Sequence, residues 1–203
     1  MNALTPDKYL SDAAVNKILE YVREASKSGS RRACTDRLIV ELLLGSGLRA
    51  HEACDLRLGD LPAQHGKPCI WVRHGKGDVA ASVLISPSLE QLLSEYQRAW
   101  RSGLPPVDPL FDNGKGGPMQ YRTLYNKVVK IGVACGMKVY PHMLRHTYAC
   151  RLYKVEKDLR FVQSQLRHAS PITTSRYAQT ANEDGMRQLQ KLDQVCGSAP
   201  GQP

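Results

Sequence analysis

The chain lacks an apolar run long enough to cross a bilayer. Its longest stretches, Ile39-Val40 and Leu42-Leu43-Leu44, are interrupted by Glu41 and Gly45, far short of the ~18 consecutive apolar residues a spanning helix takes. Met1-Asn2-Ala3-Leu4-Thr5-Pro6-Asp7 lacks a basic start followed by an apolar core, so no secretory signal is read there and a cytoplasmic protein is expected. The six cysteines, Cys34, Cys54, Cys69, Cys135, Cys150 and Cys196, form no Cys-x-x-Cys pair. Zinc-site spacings are therefore absent, and without a secretory signal a disulfide framework is not expected either. Buried free thiols are the reading that remains. An internal repeat is lacking, and so is a carboxylate cluster suited to Mg²⁺, which disfavours a metal-dependent nuclease.

What the chain does have is positive charge. Its 203 residues carry 28 Lys and Arg against 19 Asp and Glu, a formal net charge of +9, with a pI near 9.3. That excess raises the expectation of a polyanionic partner, nucleic acid first and anionic membrane second. With 42% hydrophobic residues, wholesale disorder is excluded, and the length suits one sizeable domain or two small ones.

Apolar spacing predicts helices over Asp12 to Lys27, Arg32 to Leu44 and Arg49 to Leu56, with Ser11 as an N-cap and a break at Ser26-Lys27-Ser28-Gly29-Ser30. Cys69 to Arg73 and Ala81 to Ile85 read as strands of a hairpin around Gly75-Lys76-Gly77-Asp78. Ser86-Pro87-Ser88 opens a helix through Trp100. Ser102 to Pro118 reads as a Gly- and Pro-rich loop around Leu110-Phe111. Helical patterns follow at Tyr121 to Cys135, Pro141 to Lys154 and Asp158 to Leu166. A short helix bearing Tyr177 and a final helix from Asn182 to Leu192 come next, then a tail, 197–203, expected to be disordered. The fold class expected is mostly α with a small antiparallel β-sheet (α+β).

Four segments carry candidate chemistry. They are Gly45-Ser46-Gly47-Leu48-Arg49-Ala50-His51-Glu52, His74-Gly75-Lys76-Gly77, His142-Met143-Leu144-Arg145-His146, and Leu166-Arg167-His168 followed by Thr173-Thr174-Ser175-Arg176-Tyr177. Together, and in this order, they resemble the tyrosine recombinase (phage integrase) family. That family pairs an arginine in Gly-Leu-Arg-x-x-Glu with a β-turn lysine, a His-x-Leu-Arg-His segment, a Leu-Gly-His segment and a tyrosine nine positions later. Here Tyr177 lies nine positions after His168, and the resemblance runs from about Leu4 to Gln194.

Cleaving a phosphodiester builds negative charge on the phosphoryl and leaving oxygens, which cations must stabilise where no metal does. Arginine suits this, because its planar fork grips two oxygens and stays charged. A tyrosine hydroxyl, with an ordinary pKa of ~10, needs a base or a cationic field to become nucleophilic. The resemblance implies the rest. Tyr177 attacks the phosphate, Lys76 protonates the leaving 5′-oxygen, Arg49, Arg145 and His168 hold the phosphoryl oxygens, and His142 accepts and returns the tyrosine proton. The covalent 3′-phosphotyrosyl link stores the bond energy, so neither metal, ATP nor any other cofactor is expected.

Each residue also has a plainer reading. Arg49 after a helix-ending glycine could simply bind a carboxylate. Glu52, at i+3 from Arg49, reads as local support. His142 and His146 at i, i+4 could suggest a metal pair, but no third ligand is evident. The role of His146 stays open, and Tyr177 could be a packed ring. Two departures from the family stand out. Arg167 occupies the usual glycine, where a left-handed cap costs roughly 1 kcal/mol for other residues. Val79 and Ala80 replace the basic residue common after the lysine, and Lys67 is a runner-up general acid.

The resemblance further implies that residues 1–196 form the catalytic domain, with no N-terminal clamp domain in this chain. Affinity for DNA would then rest on phosphate contacts and weaken steeply with salt. Double-stranded DNA is the expected partner and a membrane is not. A homo-oligomer on DNA is expected, formed by exchange of the C-terminal helix with its Met186, Leu189 and Leu192 stripe. The location implied is the bacterial nucleoid or a mobile element. A catalytically silent DNA-binding regulator of the same fold, or a relaxing topoisomerase with the same chemistry, remain as alternatives.

Overall fold

A computed structural model of the chain describes residues 8–62, 66, 68–73 and 80–167. It consists of α1 (Asp12–Ser26), α2 (Arg31–Ser46), α3 (Ala50–Asp55), a 3₁₀ turn (Leu58–Asp60), β1 (Cys69–Val72), β2 (Ala81–Leu84), α4 (Pro87–Trp100), α5 (Tyr121–Ala134), α6 (Pro141–Glu156) and α7 (Leu159–Leu166). The expectation of a mainly helical chain with one small antiparallel sheet holds.

Helix α2 is the hub. It touches α1, α3, α4, α5 and α6, and its second half buries Leu38, Ile39, Val40, Leu42, Leu43 and Leu44 in succession. A helix apolar on every side is stable only when wrapped by other elements. The amphipathic α1 and α4 provide such cover, burying Val15, Ile18 and Val22 from one and Leu89, Leu92, Leu93 and Tyr96 from the other. Their starts follow the local chemistry of the sequence. The Ser11 and Ser86 hydroxyls accept from the Ala14 and Leu89 backbone N–H groups, and Pro87 occupies the first turn of α4.

The strands pair antiparallel, with Cys69 opposite Leu84 and Val72 opposite Ala81. Asp60 anchors the end of β1. Its carboxylate accepts from Arg73 Nε at 2.6 Å and from the Arg57 backbone N–H at 2.9 Å. The Gly- and Pro-rich connection after α4 is held by backbone bonds, Leu110 N to Leu56 O at 2.8 Å and Leu58 N to Asp108 O at 2.9 Å. Leu110 and Phe111 within this connection are fully buried. The described cysteines are free thiols, four of them buried and Cys34 half-buried.

Gly47 ends α2 in the left-handed region, with φ +62° and its N–H donating to Leu43 O. A side chain there meets two obstacles. The positive φ disfavours L-residues, and a Cβ would stand 2.7 Å from Tyr148 Cε1 and 3.0 Å from Leu166 Cδ2. Tyr148 and Leu166 come from α6 and α7, so this glycine sets how closely the start of α3 approaches both. Gly47→Ala is expected to lower the unfolding free energy by about 2–4 kcal/mol, from left-handed strain plus overpacking. Urea unfolding of the two proteins checks this.

Candidate active site

The turn made at Gly47 places Arg49 as the N-cap of α3, in extended conformation, rather than inside the helix that the apolar spacing predicted. Glu52, three residues on, folds back over it. One carboxylate oxygen accepts from the Arg49 backbone N–H at 2.7 Å and the other from Arg49 Nη1 at 2.7 Å. The first bond satisfies a helix-start donor that the helix itself leaves unpaired. The plainer reading of Arg49, a carboxylate partner, is thus present together with the site, and that partner is buried.

Pro141 starts α6, which puts His142 in its first turn and Arg145 one turn along the same side. Arg145 is 3% exposed. Its Nη1 donates to Gly47 O, and its Nη2 donates to Leu166 O at 2.6 Å. One side chain therefore joins the end of α2, the second turn of α6 and the end of α7. The His146 ring stands edge-on to that of His142, with centroids 4.1 Å apart.

Arg167 adds a further cation. It caps α7 in the left-handed region, with φ +53°, the backbone that a glycine would adopt without strain. Its Nη2 donates to Glu52 Oε2 at 2.5 Å. Arg145 Nη1 is 3.9 Å from the same oxygen. Three guanidiniums from distant parts of the chain thus surround one carboxylate.

Electrostatics follow from that geometry. Burial alone pushes the Glu52 carboxyl up. The Arg167 guanidinium, followed by the Arg49 backbone and side chain, reverses this and holds it below the usual carboxylate range. Burial lowers the Arg167 guanidinium, Glu52 opposes that, and Arg49 lowers it further. Arginine's high intrinsic basicity keeps it charged. His142 is held below its ordinary value, first by loss of water around the ring and then by Arg145 and Arg49. A neutral imidazole is therefore the prevailing form near pH 7.

Beside this cluster lies a cleft of about 220 Å³, lined by Arg49, His51, Tyr121, Pro141, His142 and Arg145. A small cavity lined by two arginines and a neutral imidazole can bind a tetrahedral anion and accept a proton next to it. Of the six residues predicted to carry the chemistry, Arg49, His142 and Arg145 are brought together here, while Lys76, His168 and Tyr177 lie outside the described residues. The expected helices after Leu166 and the runner-up Lys67 lie outside them too. Tyr121, at the first position of α5 and 52% exposed, was not anticipated as a lining residue. Among the described residues, no group of three or more His, Cys, Asp or Glu side chains is arranged to hold a metal ion. Nor, among them, is any helix long and apolar enough to cross a membrane.

The sequence pattern of the phage integrase family matches residues 8–184. The tyrosine recombinase XerC of Nitrobacter winogradskyi is 35% identical over 144 residues, 70% of this chain and 44% of the relative. The tyrosine recombinase XerH of Helicobacter pylori is 34% identical over 174 residues, 83% of this chain and 47% of the relative. The chain thus spans about half the length of these curated relatives. Among solved structures, the XerH site-specific recombinase bound to a palindromic difH substrate in a post-cleavage complex superposes with a TM-score of 0.75. That match has 28% identity and covers 96% of this chain and 54% of the other. The XerA recombinase superposes with a TM-score of 0.73 at 30% identity, covering 89% of this chain and 64% of that one.

The lowered His142 value has a consequence for stability. Below an ordinary imidazole pKa of about 6.5, the unfolded chain takes up a proton that folded His142 resists. Its contribution is therefore complete above that pH and is lost as pH falls through the lowered folded value. Wild-type protein is expected to lose more unfolding free energy between pH 7.5 and pH 5.5 than His142→Gln. Paired urea titrations at the two pH values measure the difference, and equal losses would contradict it.

Proposed function

Because the chain belongs to the phage integrase family, we propose that it is a site-specific recombinase that cuts and rejoins double-stranded DNA through a phosphotyrosyl intermediate on Tyr177. The observation that carries this reading is the convergence of Arg49 and Arg145, 96 positions apart in the chain, on one cleft that also holds His142.

In this reading the phosphate enters between the Arg49 and Arg145 guanidiniums, and His168 supplies a further donor. The Tyr177 hydroxyl oxygen bonds to phosphorus while the bond from phosphorus to the 5′-oxygen breaks. The tyrosine proton passes to His142, and Lys76 gives a proton to the departing 5′-oxygen. Attack by a 5′-hydroxyl from another strand reverses each transfer and reseals the backbone. The phosphotyrosyl link conserves the bond energy, so the cycle uses neither ATP nor a metal. A neutral His142, held so by burial and by Arg145 and Arg49, is suited to accept the proton. Residues 1–196 serve as the catalytic domain. The C-terminal stripe Met186, Leu189 and Leu192 joins protomers on DNA.

The test uses a pool of nicked suicide duplexes with randomised arms, incubated with the protein in EDTA. Wild type is expected to accumulate a covalent protein–DNA species, and Tyr177→Phe none. A requirement for Mg²⁺, or an adduct that persists in the Phe variant, would reject the mechanism. DNA binding with no adduct from wild type would point to a regulator. Supercoil relaxation without strand exchange would point to a topoisomerase.

A further inference from the structure

Arg167 stands where the resembling family has glycine, and the structure gives the substitution a consequence. The residue adopts a left-handed cap, at φ +53°, at a strain of roughly 1 kcal/mol. Its side chain turns back to Glu52, 115 positions earlier in sequence, and meets the carboxylate at 2.5 Å. Its other terminal nitrogen donates to Gln165 O at 3.0 Å, which holds the guanidinium against the end of its own helix. The side chain is 6% exposed and that of Glu52 is 1% exposed. Arg167 is thus directed inward, away from surface positions that reach DNA by charge alone.

Glu52 is the group that orients Arg49, through the backbone N–H on one oxygen and Nη1 on the other. Arg167 shares the first of these oxygens. The carboxylate is therefore gripped from two sides, and its position no longer depends on Arg49 alone. The shared negative charge also leaves Arg49, whose side chain is 22% exposed, with more of its own charge for an anion in the cleft. A second tether runs in parallel, because Arg145 joins Leu166 O to Gly47 O. The end of α7 is tied twice to the segment running from the end of α2 into α3, once at Gly47 through a cation of the cleft and once at Glu52 through Arg167.

We propose that Arg167 is a positioning residue for strand cleavage: its ion pair with Glu52 fixes the Arg49 guanidinium in the orientation that receives the phosphate. Arg167 does not touch the reacting atoms. It acts through Glu52 and thus on the chemical step, leaving DNA affinity nearly unchanged. The proposal rests on the recombinase reading above.

The test compares wild type, Arg167→Gly and Arg167→Lys on a nicked duplex recovered from the covalent selection. Glycine accepts the left-handed cap without strain, so the Gly variant is expected to fold. Thermal unfolding verifies this, and the Lys variant, which preserves the charge, carries the comparison if the Gly variant is impaired. Equilibrium DNA affinity is expected to change by less than about twofold in either variant, since the buried group adds little to phosphate contact. The single-turnover rate of adduct formation should fall about tenfold to a hundredfold in Arg167→Gly, the range typical of a misoriented reacting group. Arg167→Lys should recover a large part of it. Wild-type rates in Arg167→Gly, a loss confined to affinity, or a Lys variant no faster than Gly would each overturn the positioning role. If wild type itself forms no Tyr177-dependent adduct, the recombinase reading fails and the positioning role falls with it. If wild type forms one and the Gly variant matches its rate, only the positioning role fails.

Discussion

The Glu52 carboxylate, on a side chain that is 1% exposed, accepts from the Arg49 backbone and side chain and from Arg167, with Arg145 3.9 Å away. Three like charges drawn from α3, α6 and α7 would repel one another in a partly dry environment. A single buried anion among them makes their convergence stable. The same carboxylate closes the first turn of α3, so the electrostatic centre of the site is also a piece of helix chemistry. An acid placed at another position of that short helix could not do both.

Packing holds this centre in place. Helix α2 is buried on nearly every side in its second half, and its end at Gly47 brings Tyr148 and Leu166 against the backbone. Close packing transmits position with little slack, so the location of Arg49 follows from the α2 core, and that of Arg145 from α6, which packs on α2. At the sheet, Asp60 plays a part comparable to that of Glu52. It is buried, and it fastens Arg73 at the end of β1 just before the segment of sequence that contains Lys76. Two buried acids thus anchor the two parts of the chain that lead to predicted site residues.

Much of the fold was legible from local signals. The Ser11 cap, the Ser86-Pro87 opening of α4, the apolar spacing of α1 and the two β-rich runs all lie where the sequence places them, because short-range chemistry determines them. Arg49, His142 and Arg145 were legible as a set because their motif flanks match the family. What local pattern does not contain is the partner of a side chain. Apolar spacing places Arg49 inside a helix, whereas it is a cap, since the left-handed Gly47 delays the start of α3. Arg167 stands out in the sequence as a departure from glycine, and nothing in its neighbours announces Glu52 more than a hundred positions earlier. Tyr121 lines the cleft because α5 abuts α3, which is a tertiary fact.

The most direct measurement of the central role of Glu52 is the unfolding free energy of Glu52→Gln against wild type at pH 7. The amide keeps the shape of the side chain and removes its charge. A group that holds buried guanidiniums together should cost about 3–5 kcal/mol when neutralised, read as a lower urea midpoint. A midpoint equal to that of wild type would show that the cations stay together without their anion, and would contradict this account of the site.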